Sequence, residues 1–276
     1  MKKERSVIGK GSLLLLLLAL IAGCSSKAIC KEGQVSPDTV FIPAGEFIMG
    51  NNLGYDSEKP ERKVFLDAFC IDKYEVSNAQ YKECVDAGAC NPPARTSSHG
   101  STSYYDNPKY DNYPVIWVTW DDAQTYCKWK GKRLPTEAEW EKAARGTDGR
   151  IWPWGNSEPD GSKLNLCDVN CEFDWKEPNI DDGYEDTAPV GAFEADKSPY
   201  GVYDMGGNVR EWVADWYLPD YYTNAPDRNP PGPSSGEGRV LRGGSWRSNT
   251  PLTRSTYRLW YDSEVKDEYI GFRCVR

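Results

Sequence analysis

The chain has 276 residues, of which 42 are Asp or Glu and 33 are Lys or Arg, giving a net charge of −9 at pH 7. A net acidic protein repels phosphate backbones and anionic lipid headgroups, so this composition argues against nucleic-acid binding and against electrostatic adhesion to membranes. Only 39% of the residues are hydrophobic, whereas the chain holds 11 Trp, 17 Tyr, 25 Gly and 19 Pro. This balance predicts one loop-rich domain that depends on aromatic packing and on covalent cross-links.

The N-terminus is typical of a secreted lipoprotein. A basic start is followed by an apolar run at 13–22, which is shorter than the roughly 20 residues that span a bilayer but suits a signal peptide. The run ends in Ile21-Ala22-Gly23-Cys24, which resembles a bacterial lipobox, so we expect lipidation of Cys24. The alternative is ordinary cleavage that leaves Cys24 as a free thiol.

The mature protein is therefore expected to be anchored to the cell envelope by lipid. Ser25 after the lipidated cysteine resembles signals for lipoproteins of the outer membrane. Its segments are a signal peptide at 1–23, a short tether at 24–37 and a domain at 38–276. Residues 1–23 carry four basic residues and one acidic residue, so their removal takes the net charge from −9 to −12.

Three helices are predicted from their caps. Ser77 to Gly88 and Thr136 to Gly146 each begin with a capping box and end at glycine, and Thr119 to Gly131 carries two aspartates in its first turn. The third helix contains a repeated acid, which is more typical of a solvated face than of a catalytic pair: Glu137, Glu139 and Glu141.

Short β-like runs lie at 40–50, 63–76, 239–246 and 269–276, while 91–113 and 147–200 are expected to be irregular. Together these elements predict an α+β fold. Without Cys24, eight cysteines remain, an even number suited to disulfides in an oxidising compartment. The short spacings favour local Cys84–Cys90 and Cys167–Cys171 bridges, with a metal site as the alternative for the second pair.

A series of motifs then identifies a family. From about residue 38 to the C-terminus they resemble, in order and spacing, the formylglycine-generating enzyme family, whose domain is also called the sulfatase-modifying factor domain. The motifs are IPAGEFIMG, DKYEVSNAQY, YPVIWVTWDDAQTYCKWKGKRLPTEAEWEKAARG, WPWGN, TAPVGAF, GVYDMGGNVREW, RVLRGGSW and GFRC. The resemblance implies a single disulfide-stapled domain with a C-type-lectin-like variant fold. It also implies a Cys127–Cys274 bridge, after which Cys30 and Cys70 pair by elimination.

The resemblance further implies one calcium site and a possible second. The first comprises Asp204, Gly207, Val209 and Glu211; the second comprises Asn165, Leu166, Asp182 and Tyr184. Side-chain carboxylates and backbone carbonyls supply the six to eight oxygens that Ca²⁺ prefers. The alternatives are that Glu211 caps a following helix, and that the second acidic loop is a solvated charge run.

The family's catalytic residues are replaced. In its active members, two cysteines follow the Gly-Gly-Ser-aromatic motif and bind copper(I), and they convert a substrate cysteine to formylglycine. Ser248 and Thr253 occupy these positions here. Hydroxyls do not replace thiolates on a soft metal, so no copper is expected.

These features predict a pseudoenzyme, a noncatalytic scaffold for binding or assembly. Its groove is expected near Ser245, Trp246, Arg247 and Arg210 and could receive a protein or glycan ligand. The alternative for the cations is that Arg242 and Arg247 pair with acids of the calcium loops. A competing hypothesis is a protein-modifying oxidoreductase with an unrecognised site. The single histidine, His99, lies in a polar loop and is expected to be solvent-exposed.

Overall fold

The computed structural model describes residues 30, 31, 33 and 36–276, so the predicted signal peptide and Cys24 lie outside the described residues. The predicted helices form where their caps indicate: α1 (Asn78–Asp86), α2 (Trp120–Trp129) and α3 (Glu137–Arg145). In each, the hydroxyl of the N-cap residue accepts the N–H of the third helical residue. A further short helix, α4 (Tyr221–Asn224), was not predicted. No helix in this described range is both long and apolar enough to cross a membrane.

Eight short strands in the described part of the chain form three small sheets. β1 (Thr39–Ile42) pairs with β4 (Phe69–Asp72), and β2 (Gly45–Met49) pairs with β3 (Arg62–Leu66). The third sheet has the order β7-β6-β5-β8 and consists of β5 (Arg210–Trp216), β6 (Arg239–Arg242), β7 (Arg258–Tyr261) and β8 (Ile270–Gly271). β5 runs antiparallel to β6 and parallel to β8.

The two faces of the four-stranded sheet bury two separate hydrophobic clusters. Successive side chains of a strand point to opposite faces. Val213 of β5 accordingly packs in one cluster with Trp140 of α3 and strands β1 to β4. Its neighbour Trp212 packs in the other cluster with Trp120 of α2 and Tyr81 of α1. The sheet therefore lies between α3 on one face and the α1–α2 pair on the other. The Gly243–Gly244 loop follows directly after the end of β6.

All four disulfides form as predicted, with Cα–Cα distances between 5.1 and 5.7 Å. Cys127–Cys274 joins α2 to the C-terminal segment, 147 residues away in sequence. Cys30–Cys70 joins the N-terminal segment to β4. The Cys167–Cys171 bridge excludes a thiolate metal site at that pair.

The acidic face of α3 is buried, so its predicted exposure was wrong. Glu137, Glu139 and Glu141 are 1%, 8% and 0% exposed. Arg242 contacts Glu141 at 2.7 Å and Glu137 at 3.2 Å, and Arg258 contacts Glu137 at 2.7 Å. Burial by itself raises the pKa of Glu137, but the charges of Arg258 and Arg242 outweigh it and lower that pKa. Arginines of β6 and β7, about a hundred residues away, thus neutralise Glu137 and Glu141, while the nearby Arg133 pairs with Glu139.

Candidate functional site

The loop after β6 passes close to the rest of the domain. Gly243 has φ +78°, which favours glycine. A Cβ on Gly244 would lie 2.4 Å from the carbonyl oxygen of Gly206. The two glycines therefore let the chain turn tightly against residues 205–206, and the residues that follow include the buried Ser245, Trp246 and Ser248.

Ser248 lies at the first position where the resemblance implies a copper ligand. Its side chain is 1% exposed. Its Oγ accepts hydrogen bonds from Arg210 Nη2 and from the Ser245 backbone N–H, both at 3.0 Å, and lies 3.2 Å from Ser245 Oγ. Among the described residues, none of its hydrogen-bond partners is a carboxylate or an imidazole. The hydroxyl therefore has a positive neighbour but no general base to remove its proton.

Thr253 lies at the second substituted position and is fully buried. Its Oγ1 accepts a hydrogen bond from Trp152 Nε1 at 3.0 Å and donates to the Thr250 carbonyl at 2.7 Å. Both functions of the hydroxyl are thus satisfied within the protein. Ser248 and Thr253 hold the loop in place, in positions where the resembled enzymes hold a metal.

The structure brings the four predicted groove residues together. Arg210 contacts Ser248, which contacts Ser245, and Trp246 and Arg247 follow directly. Arg247 is part-exposed, and its guanidinium carbon lies 4.6 Å from the centre of the Phe173 ring and 4.8 Å from that of Tyr269. We call Ser245, Trp246, Arg247, Arg210 and the aromatic residues around Arg247 the cation–aromatic groove.

The cations do not pair with the predicted calcium loops. Arg242 binds Glu137 and Glu141 of α3, and it faces away from the groove. Arg247 lies 3.8 Å from Asp267 and from Glu268, too far for a hydrogen bond. Arg247 therefore forms two ion pairs with the segment before β8, without hydrogen bonds, and packs against aromatic faces.

Sequence reasoning missed the aromatic residues that surround Arg247 and Trp246. Phe173 stacks on Trp175 with ring centres 4.7 Å apart, and Trp175 donates its indole N–H to the Arg247 carbonyl at 3.0 Å. Trp175 remains 48% exposed. His99 was expected in solvent, but its ring is only part-exposed and lies 5.2 Å from that of Trp246. The closely spaced aromatic residues in the polar segment CEFDW were the available signal for this contact.

The segment closed by the Cys167–Cys171 bridge holds the groove loop. The Cys167 N–H donates to the Ser248 carbonyl at 2.9 Å, and Glu177 accepts the Thr250 N–H at 2.8 Å. The bridge and these two bonds fix the segment that carries Phe173 and Trp175. The groove is thus built by two loops that are distant in sequence.

The residues of the second predicted calcium site lie together and fit a hard cation. Asn165 donates to the Asp186 carbonyl, which leaves its own Oδ1 buried without a partner. Asp182 is 7% exposed and accepts the N–H groups of Leu166 and Tyr184, each at 2.9 Å. Asp182 and Asp186 of this acidic loop are thus buried, whereas Asp181 and Glu185 are exposed, so only part of the loop is a solvated charge run.

Among the described residues, no cation offsets the effect of burial on the pKa of Asp182. Burial raises the pKa of Asp182 to about 7, and the nearby charges of Asp168 and Asp181 add to this effect against two backbone hydrogen bonds. Within the described residues, no cluster of three or more His, Cys, Asp and Glu is arranged to hold a metal. A calcium ion at Asp182 would consequently depend on amide and carbonyl oxygens as well.

The first predicted calcium site fits less well. Glu211 lies within β5, so it does not cap a helix, and both its oxygens accept hydrogen bonds from Arg273, at 2.7 and 2.8 Å. Trp140 Nε1 adds a third bond at 3.0 Å. A cation at Glu211 would have to share this carboxylate with a guanidinium. Glu211 as placed is therefore the counter-ion of Arg273 and does not fit a calcium ligand.

The other residues of that site lie beside a buried acid that sequence reasoning missed, Glu75. Asp204 accepts the Gly191 N–H, and Glu75 accepts the Val209 N–H and the Asn208 amide. Burial, followed by the charges of Asp204 and Glu211, raises the pKa of Glu75 well above its ordinary value. Burial also raises the pKa of Asp204 to about 6. Gly207 needs its small size, because a Cβ there would lie 2.2 Å from the Asn165 carbonyl.

Comparisons with known proteins agree with this geometry. Residues 26–276 match the family model described as a sulfatase-modifying factor enzyme 1-like domain. The chain is 34% identical over 283 residues to the formylglycine-generating enzyme of Mus musculus, covering 86% of this chain and 74% of that protein. It is 32% identical over 325 residues to the Mus musculus protein named inactive C-alpha-formylglycine-generating enzyme 2, covering 100% and 97%.

A solved structure shares the fold. PvdO from Pseudomonas aeruginosa superposes with a TM-score of 0.71 at 27% identity, covering 86% of this chain and 93% of that one. This chain belongs to the formylglycine-generating enzyme, or sulfatase-modifying factor, family.

Proposed function

We propose that this protein is a noncatalytic member of its family, and that its cation–aromatic groove binds a segment of a partner polypeptide. The hydrogen bonding of the substituted positions carries the proposal. Ser248 is held by Arg210 and Ser245, and Thr253 is held by Trp152 and Thr250. Two buried, internally satisfied hydroxyls supply neither the thiolates that copper(I) needs nor an activated nucleophile.

The resemblance supports a polypeptide as the ligand. Active members of the family act on a cysteine within another protein, at the loop that holds Ser248 and Thr253 here. A member that keeps the loop and loses the thiolates retains the shape that receives a chain segment. The part-exposed Arg247 and the exposed Trp175 provide a cation and a flat apolar face for its side chains.

The competing function is a protein-modifying oxidoreductase that uses an unrecognised site. The name of the related Mus musculus formylglycine-generating enzyme favours it, whereas the name of the inactive relative favours a noncatalytic role. The two functions differ in one observable. Only the oxidoreductase changes the covalent structure of a bound peptide, so mass spectrometry of recovered ligand separates them.

Binding is tested with a bead-bound library of N-acetylated, C-amidated heptapeptides and the mature lipoprotein in mild detergent. We expect wild type to enrich a peptide consensus and Arg247→Ser to lose most of that enrichment. Arg228→Ser is the matched control, because Arg228 stacks on Phe65 and pairs with Asp67 outside the groove. The absence of any consensus for wild type, both in this library and in the same library with free C-termini, overturns the proposal. Arg247-dependent binding on a glycan array, without peptide binding, would assign a glycan instead.

We also propose that Cys24 carries lipid and anchors the protein to the envelope. The lipobox-like Ile21-Ala22-Gly23-Cys24 sequence supports this. Ser25 after this cysteine supports the outer membrane as its location. Metabolic labelling with an alkyne fatty acid should mark wild type and not Cys24→Ala. Equal labelling of both forms would contradict the anchor, and fractionation of the labelled protein would identify its membrane.

Calcium is proposed at the site of Asn165, Leu166, Asp182 and Tyr184. The orphaned Asn165 amide oxygen and the uncompensated Asp182 carboxylate support it. When bound, the ion would neutralise Asp182 and secure the loop next to the Cys167–Cys171 bridge. We assign no ion to Glu211, because Arg273 already neutralises it.

A further inference from the structure

The buried arginines differ in whether they form an ion pair. Five arginines are buried in the described part of the chain, and four of them form an ion pair with a buried glutamate. These pairs are Arg145 with Glu141, Arg242 with Glu137 and Glu141, Arg258 with Glu137, and Arg273 with Glu211. Arg210 is only 5% exposed, yet it forms no ion pair with any described residue.

The contacts of Arg210 use two of its donors. Nη1 donates to the Gly243 carbonyl at 2.8 Å and Nη2 donates to Ser248 Oγ at 3.0 Å. The Tyr257 ring lies with its centre 5.2 Å from the guanidinium carbon. A guanidinium has about five N–H donors in a planar fork, so the other donors of Arg210 form no hydrogen bond with a described residue. The surrounding groups are neutral, and none of them balances the charge.

The hydrogen bond to Ser248 Oγ places the Arg210 guanidinium against the loop that carries Ser245, Trp246 and Arg247. Arg210 begins β5 and donates its backbone N–H to the Tyr269 carbonyl, and Tyr269 is the residue whose ring packs against Arg247. The hydroxyls of Tyr269 and Tyr261 lie 2.9 Å apart beside it. Burying a cation without a counter-charge is costly, and every other buried arginine here avoids that cost. A ligand anion would supply the missing counter-charge to Arg210, the one buried arginine without an ion pair among the described residues.

We infer that Arg210 is an anion subsite that binds a carboxylate of the polypeptide in the groove. The inference rests on the proposed function and names its ligand class, an acidic chain segment. A carboxylate matches the planar fork by two parallel hydrogen bonds. The Ser248 hydroxyl, at the former metal position, orients the fork through Nη2. The residue at this position binds a metal in the resembled enzymes, whereas here Ser248 accepts a hydrogen bond from Arg210.

The binding test uses the same heptapeptide library in two forms, one C-amidated and one with a free C-terminal carboxylate. We expect wild type to enrich Asp or Glu at one position, or else to require the free C-terminus, which identifies the source of the carboxylate. Arg210→Met should reduce that preference about tenfold, in line with loss of a charge-assisted hydrogen bond. Arg210→Lys should retain part of it.

The matched control is Arg239→Met. Arg239 also forms no ion pair with a described residue, but it lies between the Trp120 and Trp216 rings, outside the groove. It should keep the acidic preference unchanged. An acidic preference that survives Arg210→Met, or a consensus without any carboxylate, overturns the inference while leaving the proposed function intact. A wild type that enriches no peptide overturns the proposed function itself.

Thermal unfolding of the empty protein separates a binding role from a structural one. If Arg210 awaits a ligand charge, Arg210→Met should melt no lower than wild type, because an apolar side chain removes an unpaired buried charge. Arg273→Met should melt several degrees lower, because it leaves Glu211 buried and unpaired. An Arg210→Met protein that melts as low as Arg273→Met, or fails to fold, shows a structural arginine and overturns the inference.

Discussion

Trp152 donates its indole N–H to the hydroxyl of Thr253 at 3.0 Å, and both side chains are buried. The resemblance places a copper-binding cysteine at the position of Thr253. The indole therefore forms a stable hydrogen bond with a residue that, in active members, would be a metal ligand. We therefore expect the hydrogen bond between Trp152 and Thr253 to stabilise the loop.

Replacing Thr253 tests that structural role. Thr253→Val keeps the shape and removes the acceptor, which leaves the Trp152 N–H buried and unpaired, at a cost of about 1–3 kcal/mol. Thr253→Ser keeps the hydroxyl and loses one methyl group, at a cost of roughly 0.8 kcal/mol. Urea denaturation measures both. If Thr253→Val is as stable as wild type, the hydrogen bond contributes nothing and the position is free for another role.

Calcium should stabilise the protein through Asp182. A ligand present at about 100 times its Kd adds roughly 2.7 kcal/mol to the native state, so chelation should lower the Tm. Asp182→Asn should abolish that response, whereas the exposed neighbour Asp181→Asn should retain most of it. Magnesium should substitute poorly, because it demands a smaller and more rigid shell. Identical melting curves in calcium and in chelator would contradict the site.

Glu211→Gln separates the two predicted calcium sites. Because Glu211 neutralises the buried Arg273, the variant should lose about 3–5 kcal/mol of stability. The loss should be the same in calcium and in chelator. A variant that is destabilised only in the presence of calcium would instead make Glu211 a ligand.

The pH dependence of stability should include a contribution from Asp215. Burial, followed by the charge of Glu137, raises the pKa of Asp215 to about 8. A carboxyl whose pKa is raised on folding favours the native state below its unfolded pKa, near 3.8, and loses that contribution as the pH rises through about 8. Asp215→Asn should therefore gain stability over wild type progressively between pH 5 and pH 9, the range in which urea denaturation in chelator would be measured.

Asp160→Asn is the control for this titration. A hydrogen bond from Lys163, followed by one from Ser162, lowers the pKa of Asp160 to about 2. Its contribution is therefore complete above about pH 4 and should leave the slope between pH 5 and pH 9 unchanged. A constant difference between Asp215→Asn and wild type across that range would show that Asp215 does not titrate in it.

The disulfides should differ in their contributions to stability. Cys127–Cys274 closes a separation of 147 residues and Cys84–Cys90 one of 6. Loop-closure entropy predicts losses of roughly 5 and roughly 2 kcal/mol when each pair is replaced by alanines. Denaturation of the two double variants measures this difference, and equal losses would show that native packing, and not loop length, sets the effect.

Local signals in the sequence were sufficient for part of this fold. The caps at Ser77, Thr119 and Thr136 fixed the helices, because a capping box involves residues only three apart. β5 was missed, since REWVADW is buried on both faces and shows no polar alternation. Its partners β6 and β8 lie far along the chain, so no local pattern announces their pairing.

Details of the candidate site could not be predicted for the same reason, because they depend on contacts between residues that are distant in sequence. The burial of Glu141 depends on Arg242, about a hundred residues away, and periodicity on α3 alone could not show it. The stack of Phe173 on Arg247 joins two irregular loops that have no sequence period. The unpaired state of Arg210 is visible only once the partners of all the buried arginines are known. The order of the motifs predicted which residues form the groove. Their contacts with Phe173 and with one another are visible only in the structure.

The central claim is that the groove binds and does not catalyse, and a copper-dependent oxidation assay tests it most directly. Purified mature protein would be loaded with copper(I) under reducing conditions and given oxygen and a pooled library of cysteine-containing peptides. Mass spectrometry would then follow conversion of cysteine to formylglycine. We predict no product from wild type and none from the Ser248→Ala, Thr253→Ala double variant. Formylglycine produced by wild type and lost in the double variant would contradict the account.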